Sequence, residues 1–383
     1  EFTLAKGETA IDRPVMSGEL QDGRTVDAFL LAVLMKGGSD IHLSAGSPPI
    51  MRLYGKLYKL DFPPVTKAES EQIMKEILTT EQLEKFDGDK NIDISYELKV
   101  DDNTFRFRVN IYQQQRGWSA AFRVIPQRIP TFKELRLPPI VDSFTRLHAG
   151  LILITGPSGC GKTTTLAALI DHINQNREDH IITLEDPIEY VHKMKNCYVR
   201  QRAIGHHTRS FAASLRAAMR EDPDIIQVGE MRDLETMQLA MTAAETGHLV
   251  LGTMPTTNAA RTIDRIIDSF PPAQQPQVRI MLSESLKGII SQKLIPTKDG
   301  KQVPAVEIIV STPSLAHLVR DQKTFKIPSV VQTSRHLGMQ TLEDSLLALY
   351  KEGIITDQET RLAANDQVVI EEMLAGKTVE YKD

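Results

Sequence analysis

The sequence predicts a small α+β domain followed by a larger α/β domain built on a parallel sheet around a phosphate-binding loop. Three observations carry this reading. In Phe105-Arg106-Phe107-Arg108-Val109-Asn110-Ile111 apolar and polar residues alternate without a break, the period of a half-buried antiparallel strand. Gly156-Pro157-Ser158-Gly159-Cys160-Gly161-Lys162-Thr163 fits G-x-x-x-x-G-K-[ST] at every fixed position. From Leu151 onward, apolar strand candidates alternate with helical stretches, the pattern of a parallel α/β sheet.

At 383 residues the chain is long enough for two or three domains, each with its own core. A net charge of −5 with 25% charged residues is ordinary soluble composition, without the basic excess of a nucleic-acid binder. Cys160 and Cys197 are too few for a four-cysteine zinc site and suggest no disulfide framework, so a reducing, cytoplasmic setting is expected. The longest apolar run, residues 28–35, is too short to span a bilayer, and no signal peptide leads the chain. Work at a membrane would need recruitment by partners.

Residues 1–22 carry Gly, Pro and charge with little periodicity and read as a mobile leader. The first domain is expected over residues 23–125. A helix over 25–35 stops at Gly37-Gly38, strands follow over 40–44 and 51–60, and a helix over 67–86 turns Ile73, Ile77 and Leu83 inward. The strand around 105–111 puts Phe105, Phe107, Val109 and Ile111 in the core and Arg106 and Arg108 side by side on the other face. A strand over 119–125, returning through Arg116-Gly117, adds Arg123. On composition alone that arginine face could equally be solvated surface. Residues 126–149, with Pro126, Pro130, Pro138 and Pro139 interleaved with charge, read as a linker to a second domain over 150–383. Strands are expected there over 151–155, 180–184, 225–228, 249–253 and 306–310. Helices are expected over 210–220, 234–246 and 277–292, and through the tail from 341.

The glycine-rich stretch has the flanks it needs. An apolar run from Leu151 runs into it, and behind it Leu166, Leu169, Ile170 and Ile173 form one helical stripe. Glycines let backbone N–H groups curl around a phosphate, and the helix N-terminus adds favourable partial charge. Residues Gly156 to Thr164 are therefore the candidate triphosphate cradle, with Lys162 reaching the β- and γ-phosphates and Thr163 placed on Mg²⁺. The acids should lie at the carboxyl ends of neighbouring strands. Glu230, closing Asp222-Pro-Asp-Ile-Ile-Gln-Val-Gly-Glu230, is the candidate on the Mg²⁺ side, because Asp222 and Asp224 lie at the other end of that strand. In Ile181-Ile-Thr-Leu-Glu-Asp-Pro-Ile-Glu189, a carboxylate of Glu185, Asp186 or Glu189 could orient the attacking water, or these acids could cap a helix. His206 and His207 have no metal-ligand spacing and read as surface or packing residues.

Together, the phosphate loop, Leu-Glu-Asp-Pro-Ile-Glu189, Arg220-Glu-Asp-Pro-Asp-Ile-Ile, Val228-Gly-Glu-Met-Arg-Asp233 and Ala243-Ala-Glu-Thr-Gly-His-Leu-Val250 resemble the PilT-type retraction motors of type IV pili. These belong to the secretion/pilus ATPase superfamily. Ser39-Asp-Ile-His-Leu-Ser-Ala-Gly46, Met281-Leu-Ser-Glu-Ser-Leu286 and Leu337-Gly-Met-Gln-Thr-Leu342 extend the resemblance over about residues 25–355. It implies a PAS-like N-terminal domain, a RecA-like ATPase domain and a homohexameric cytoplasmic ring at the inner-membrane base of a pilus. The implied partners are a platform protein and a paralogous motor. It implies ATP with Mg²⁺ between the two domains, contacted by Arg106, Arg108 and Arg123. Glu189 becomes the general base, with Glu185 as alternate.

Two stretches depart from the family. Pro255 stands where a histidine normally couples nucleotide state to conformation, leaving Thr256 or Asn258 as possible substitutes. In Ser314-Leu-Ala-His-Leu-Val-Arg-Asp321, only Leu318 and Arg320 match the retraction segment. The expected activity is ATP hydrolysis driving pilus retraction and twitching motility. The alternatives are a PilU-like accessory motor and a nucleotide-gated scaffold with weak hydrolysis. Extension motors usually carry a four-cysteine zinc insert, for which this chain lacks the cysteines.

Overall fold

The computed structural model describes residues 25–53, 55–101, 103–126 and 128–377, so the expected leader lies outside the described residues. The chain divides into two compact units, residues 1–127 and 128–383.

The first unit runs α1 (Thr25–Lys36), β1 (Asp40–Ser44), β2 (Ile50–Leu53), β3 (Lys56–Lys59), α2 (Lys67–Ile77), α3 (Thr80–Asp89), β4 (Asn91–Val100), β5 (Asn103–Gln114) and β6 (Gly117–Ile125). Its strands form one antiparallel six-stranded sheet, ordered β3-β2-β1-β6-β5-β4. Phe107, Val109 and Ile111 are fully buried, with Phe105 packed at the core's margin. Enclosing a ring such as Phe107 or Phe122 contributes roughly 1.5–3 kcal/mol of transfer free energy.

Three expectations for this unit need correction. The strand expected over 51–60 is a hairpin, because Gly55 takes φ +82°. The helix expected over 67–86 is two helices. Leu78 is extended, and Thr79 starts a new capping box with Gln82 that satisfies the orphan amides of α3. The sequence reading also passed over β4, although Ile92, Ile94, Tyr96, Leu98 and Val100 alternate inward along it.

The second unit runs α4 (Val141–Thr145), β7 (Gly150–Thr155), α5 (Lys162–Asn176), β8 (His180–Glu185), β9 (Tyr198–Ala203), α6 (Phe211–Ala218), β10 (Ile225–Val228), α7 (Leu234–Glu245) and β11 (Leu249–Met254). It continues with α8 (Ala259–Asp268), α9 (Gln275–Ser285), β12 (Leu286–Pro296), β13 (Gln302–Val310), α10 (Pro313–Arg320), α11 (Ile327–Thr333), α12 (Leu342–Lys351), α13 (Asp357–Ala363) and α14 (Gln367–Leu374). Seven strands lie in the order β13-β12-β7-β11-β10-β8-β9, all parallel except β13.

Both faces of this sheet are covered, which is why its strands read as continuous apolar runs. Leu151 and Leu153 face one core, while Ile152 and Ile154 face the other together with Leu166, Leu169 and Ile173 of α5. Residues 128–149 pack onto this second core through Leu137, Val141 and Phe144. Helices α12 to α14 close over β12 and β13 through Leu342, Leu346 and Ile370.

The helix expected over 277–292 is half wrong. It ends at Ser285, and Leu286–Pro296 is the long strand β12, paired to β7 on one side and β13 on the other. Strand β9 was also missed. It forms one edge of the sheet, with Tyr198 and Arg200 exposed and the Arg200 guanidinium 4.2 Å over the Tyr198 ring. The loops that follow β7, β8, β10 and β11 all leave the carboxyl edge of the sheet, where an open α/β fold places its ligand.

Candidate functional site

Strand β7, buried along its whole length, delivers the chain into the glycine loop. Gly156, Gly159 and Gly161 take φ of +146°, +76° and +89°, conformations that a side chain would strain. Gly161 is also the N-cap of α5 and offers no side-chain cap, so the first-turn amides keep their partial positive charge for a ligand. Pro157, Ser158 and Gly159 are exposed, whereas Lys162, Thr163 and Thr164 are half-buried. Lys162 Nζ lies against the carbonyls of Gly156 (2.8 Å) and Pro157 (3.0 Å), folded over the loop it serves. Cys160 is buried and its thiol is pushed up by that burial, so it is a packing residue rather than a nucleophile.

The acidic stretch after β8 separates into distinct roles. Glu185 is buried, and its carboxyl accepts from Thr183 Oγ1 (2.6 Å), Gln201 Nε2 (3.0 Å) and the backbone N–H of Glu189. Desolvation pushes it above the usual carboxylate range despite these bonds. That makes Glu185 an anchor for the loop. Asp186 is exposed and joined to Pro187 by a cis peptide. Glu189 is half-buried and so keeps an open side. The next residue, Tyr190, shares a 3.1 Å hydrogen bond with Thr164 Oγ1, tying the acidic loop to the first turn of α5.

At the end of β10, Gly229 N donates to Leu184 O (2.7 Å) and Thr253 Oγ1 donates to Gly229 O (2.5 Å), binding three strand ends together. Glu230, just beyond, accepts from Arg232 at 2.6 Å. Buried Gln227 on β10 has Oε1 without a hydrogen-bond partner among the described residues. Pro255 is exposed. Its neighbours Thr256 and Asn258 are engaged locally. Asn258 caps α8 through Arg261 N (2.9 Å), and Thr256 Oγ1 meets Thr262 Oγ1 at 2.7 Å. Glu307 of β13 adds a second cap by accepting from Ala259 N (2.8 Å), and burial pushes its carboxyl up to about 7.

On the first unit's sheet, Arg123 sits directly across from Arg108, so the three arginines share a face. Each has an acid beside it: Arg106 with Glu97 (2.8 Å), Arg108 with Asp93 (3.8 Å) and Arg123 with Asp40 (2.9 Å). The Arg106 and Arg108 pairs are exposed on both sides and contribute only about 0.2–1 kcal/mol each, so either arginine leaves at little cost, whereas the Asp40 carboxylate that meets Arg123 is largely buried. His206 and His207 are exposed, and His207 Nδ1 accepts from Ala203 N at 2.9 Å. Among the described residues no group of three or more His, Cys, Asp or Glu could hold a metal ion, and no helix is long and apolar enough to cross a membrane. Sequence reasoning missed Thr183, Tyr190, Gln201 and Gln292. No motif marks them, because their roles come from hydrogen bonds that the folded chain brings together around the glycine and acidic loops.

Residues 19–356 match the family model described as Type II/IV secretion system protein. The chain is 46% identical over 333 residues to the Type IV pilus retractation ATPase PilT of Pseudomonas aeruginosa, covering 87% of this chain and 96% of that protein. It is 36% identical over 334 residues to the Type IV pilus ATPase PilU of the same organism, covering 87% of each. Among solved structures, the pilus retraction motor PilT with bound ADP superposes with a TM-score of 0.83 at 44% identity, covering 91% of this chain and 99% of that one.

Proposed function

The chain belongs to the Type II/IV secretion system protein family, and from that membership we propose that it hydrolyses ATP to power type IV pilus retraction, and with it twitching motility. The carrying observation is the likeness to a retraction ATPase over 96% of that protein's length. A complete phosphate loop, seated between a buried strand and an uncapped helix, supports it.

The chemistry follows from the residues. The loop amides and Lys162 hold and neutralise the phosphates, as phosphoryl transfer requires positioning and charge stabilisation above all. Glu189 is the general base that orients water and takes its proton, while Glu185 holds the loop from inside. A hydroxyl and a carboxylate suit a hard divalent cation, so Thr163 and Glu230 would hold Mg²⁺, with Glu230 exchanging its Arg232 partner. When bound, the ion offsets charge on the β- and γ-phosphates.

Within the same reading the first unit is PAS-like, the second RecA-like, and the working assembly a cytoplasmic homohexamer on an inner-membrane platform protein. Arg106, Arg108 and Arg123 are nucleotide contacts, the first two held only by weak exposed ion pairs and Arg123 itself lying open to solvent. Arg106→Ala is expected to lower kcat at least about tenfold with little change in melting temperature. An unchanged rate and nucleotide affinity would return that face to solvent.

Cells lacking the gene test the function directly. They are expected to carry excess pili and fail to twitch, and restoration by the parent gene but not by Lys162→Ala ties this to hydrolysis. Bald cells would point to assembly instead. The altered segment 314–321, most of which forms α10, favours one second reading: an accessory motor of the PilU kind. In that case excess piliation would appear only when a second retraction motor is also weakened.

A further inference from the structure

Strand β12 runs beside β7 with Ser291 opposite Thr155, the last residue of β7. There β7 turns away into the glycine loop, whereas β12 continues to Pro296. Gln292 is thus the first residue of β12 beyond the end of β7, and on that side it lies against the loop, while on the other it stays opposite Val306 of β13. It is 2% exposed. Its Nε2 donates to the Cys160 carbonyl (2.5 Å), and its Oε1 accepts from Thr165 Oγ1 on α5 (2.9 Å). A Cβ at Gly156 would collide with the Gln292 carbonyl, and one at Gly161 would come to 3.1 Å from Nε2. The loop therefore rests on this residue through both backbone and side chain.

We propose that Gln292 is the positioning residue that sets the curvature of the phosphate loop, by holding the Cys160 carbonyl inward and locking it to the first turns of α5. Peptide geometry supplies the mechanism. In a trans peptide the C=O of Cys160 and the N–H of Gly161 point in opposite directions, so anchoring one toward β12 aims the other toward the phosphates. The amide side chain of Gln292 offers at once the donor that Cys160 needs and the acceptor that Thr165 needs. A carboxylate lacks the donor and an alkyl group lacks both.

The inference rests on the reading that this loop holds a nucleoside triphosphate, and the full-length protein tests the two separately. Assayed at about pH 9, where a buried carboxyl is ionised, Gln292→Glu retains the acceptor for Thr165 and loses the donor to Cys160, while Gln292→Leu loses both. Both variants should bind ADP about tenfold more weakly in a fluorescence titration, the effect of leaving one buried carbonyl unpaired. KM for ATP should rise by a similar factor with kcat within about threefold, a split that loss of fold stability alone would not produce. Thr165→Val, which leaves the Cys160 contact in place, should weaken ADP binding by less than about threefold.

ADP affinity at the parent level in Gln292→Glu and Gln292→Leu, with Lys162→Ala still impaired, overturns the role of Gln292 and leaves the loop as the nucleotide site. Parent-like binding in Lys162→Ala as well overturns the site itself. A Thr165→Val defect as large as that of Gln292→Glu overturns the assignment to Cys160. Should Gln292→Leu fail to fold, the nearly isosteric Gln292→Glu decides alone.

Discussion

Lys162→Ala is expected to reduce ATP turnover by about 10²–10³-fold, equivalent to about 2.7–4 kcal/mol of lost transition-state stabilisation. The lysine is the fixed positive charge of the glycine loop, and phosphoryl transfer leaves the protein little to do beyond placing such charges. Its Nζ donates to the carbonyls of Gly156 and Pro157, contacts that water can replace in a loop with an exposed rim. The variant should therefore melt within a few degrees of the parent. Steady-state phosphate release, measured with a thermal melt, checks both halves. Parent turnover at or below the Lys162→Ala background would leave a ring that binds nucleotide and acts through interactions alone.

Glu189→Gln comes next. Its turnover should fall about 10²–10⁴-fold, the usual contribution of a positioned general base, while ATP affinity stays within about threefold. The comparison that decides the assignment is Glu185→Gln. Glu185 is buried and engaged by Thr183 and Gln201, so replacing it disturbs the loop that carries Glu189. Its loss should appear first as a lower melting temperature and only partly in kcat. Were Glu185→Gln to abolish turnover at unchanged stability while Glu189→Gln stayed active, the two roles would be exchanged.

The chemistry of this chain was more legible than its topology. The glycine loop and the acids at strand ends are local patterns, and β7, β8, β10 and β11 stand where their apolar runs predict. The boundary between α9 and β12 was not legible. Val278 and Leu282 keep helical spacing, but Gly288-Ile289-Ile290 is a short apolar run that fits a buried helix as well as a buried strand. Strand β9 was hidden for the opposite reason: Tyr-Val-Arg-Gln-Arg-Ala has too few apolar positions to resemble a buried strand, as befits an edge. Strand β4 alternates inward and outward along Asn91–Val100 as regularly as β5 and carries the same period-2 signal. Gln292 could not have been found without the fold. Its meaning comes from β12 outrunning β7, and the boundary that misled the sequence reading hid it.

The charge on β9 also bears on how the molecule survives at high local concentration. An unpaired strand is a template on which a second chain can extend the sheet without limit. Arg200, laid across Tyr198, places a cation on that rim, and a like-charged copy approaching in the same register would be repelled. That rim is thereby steered away from open-ended extension of the sheet by further copies.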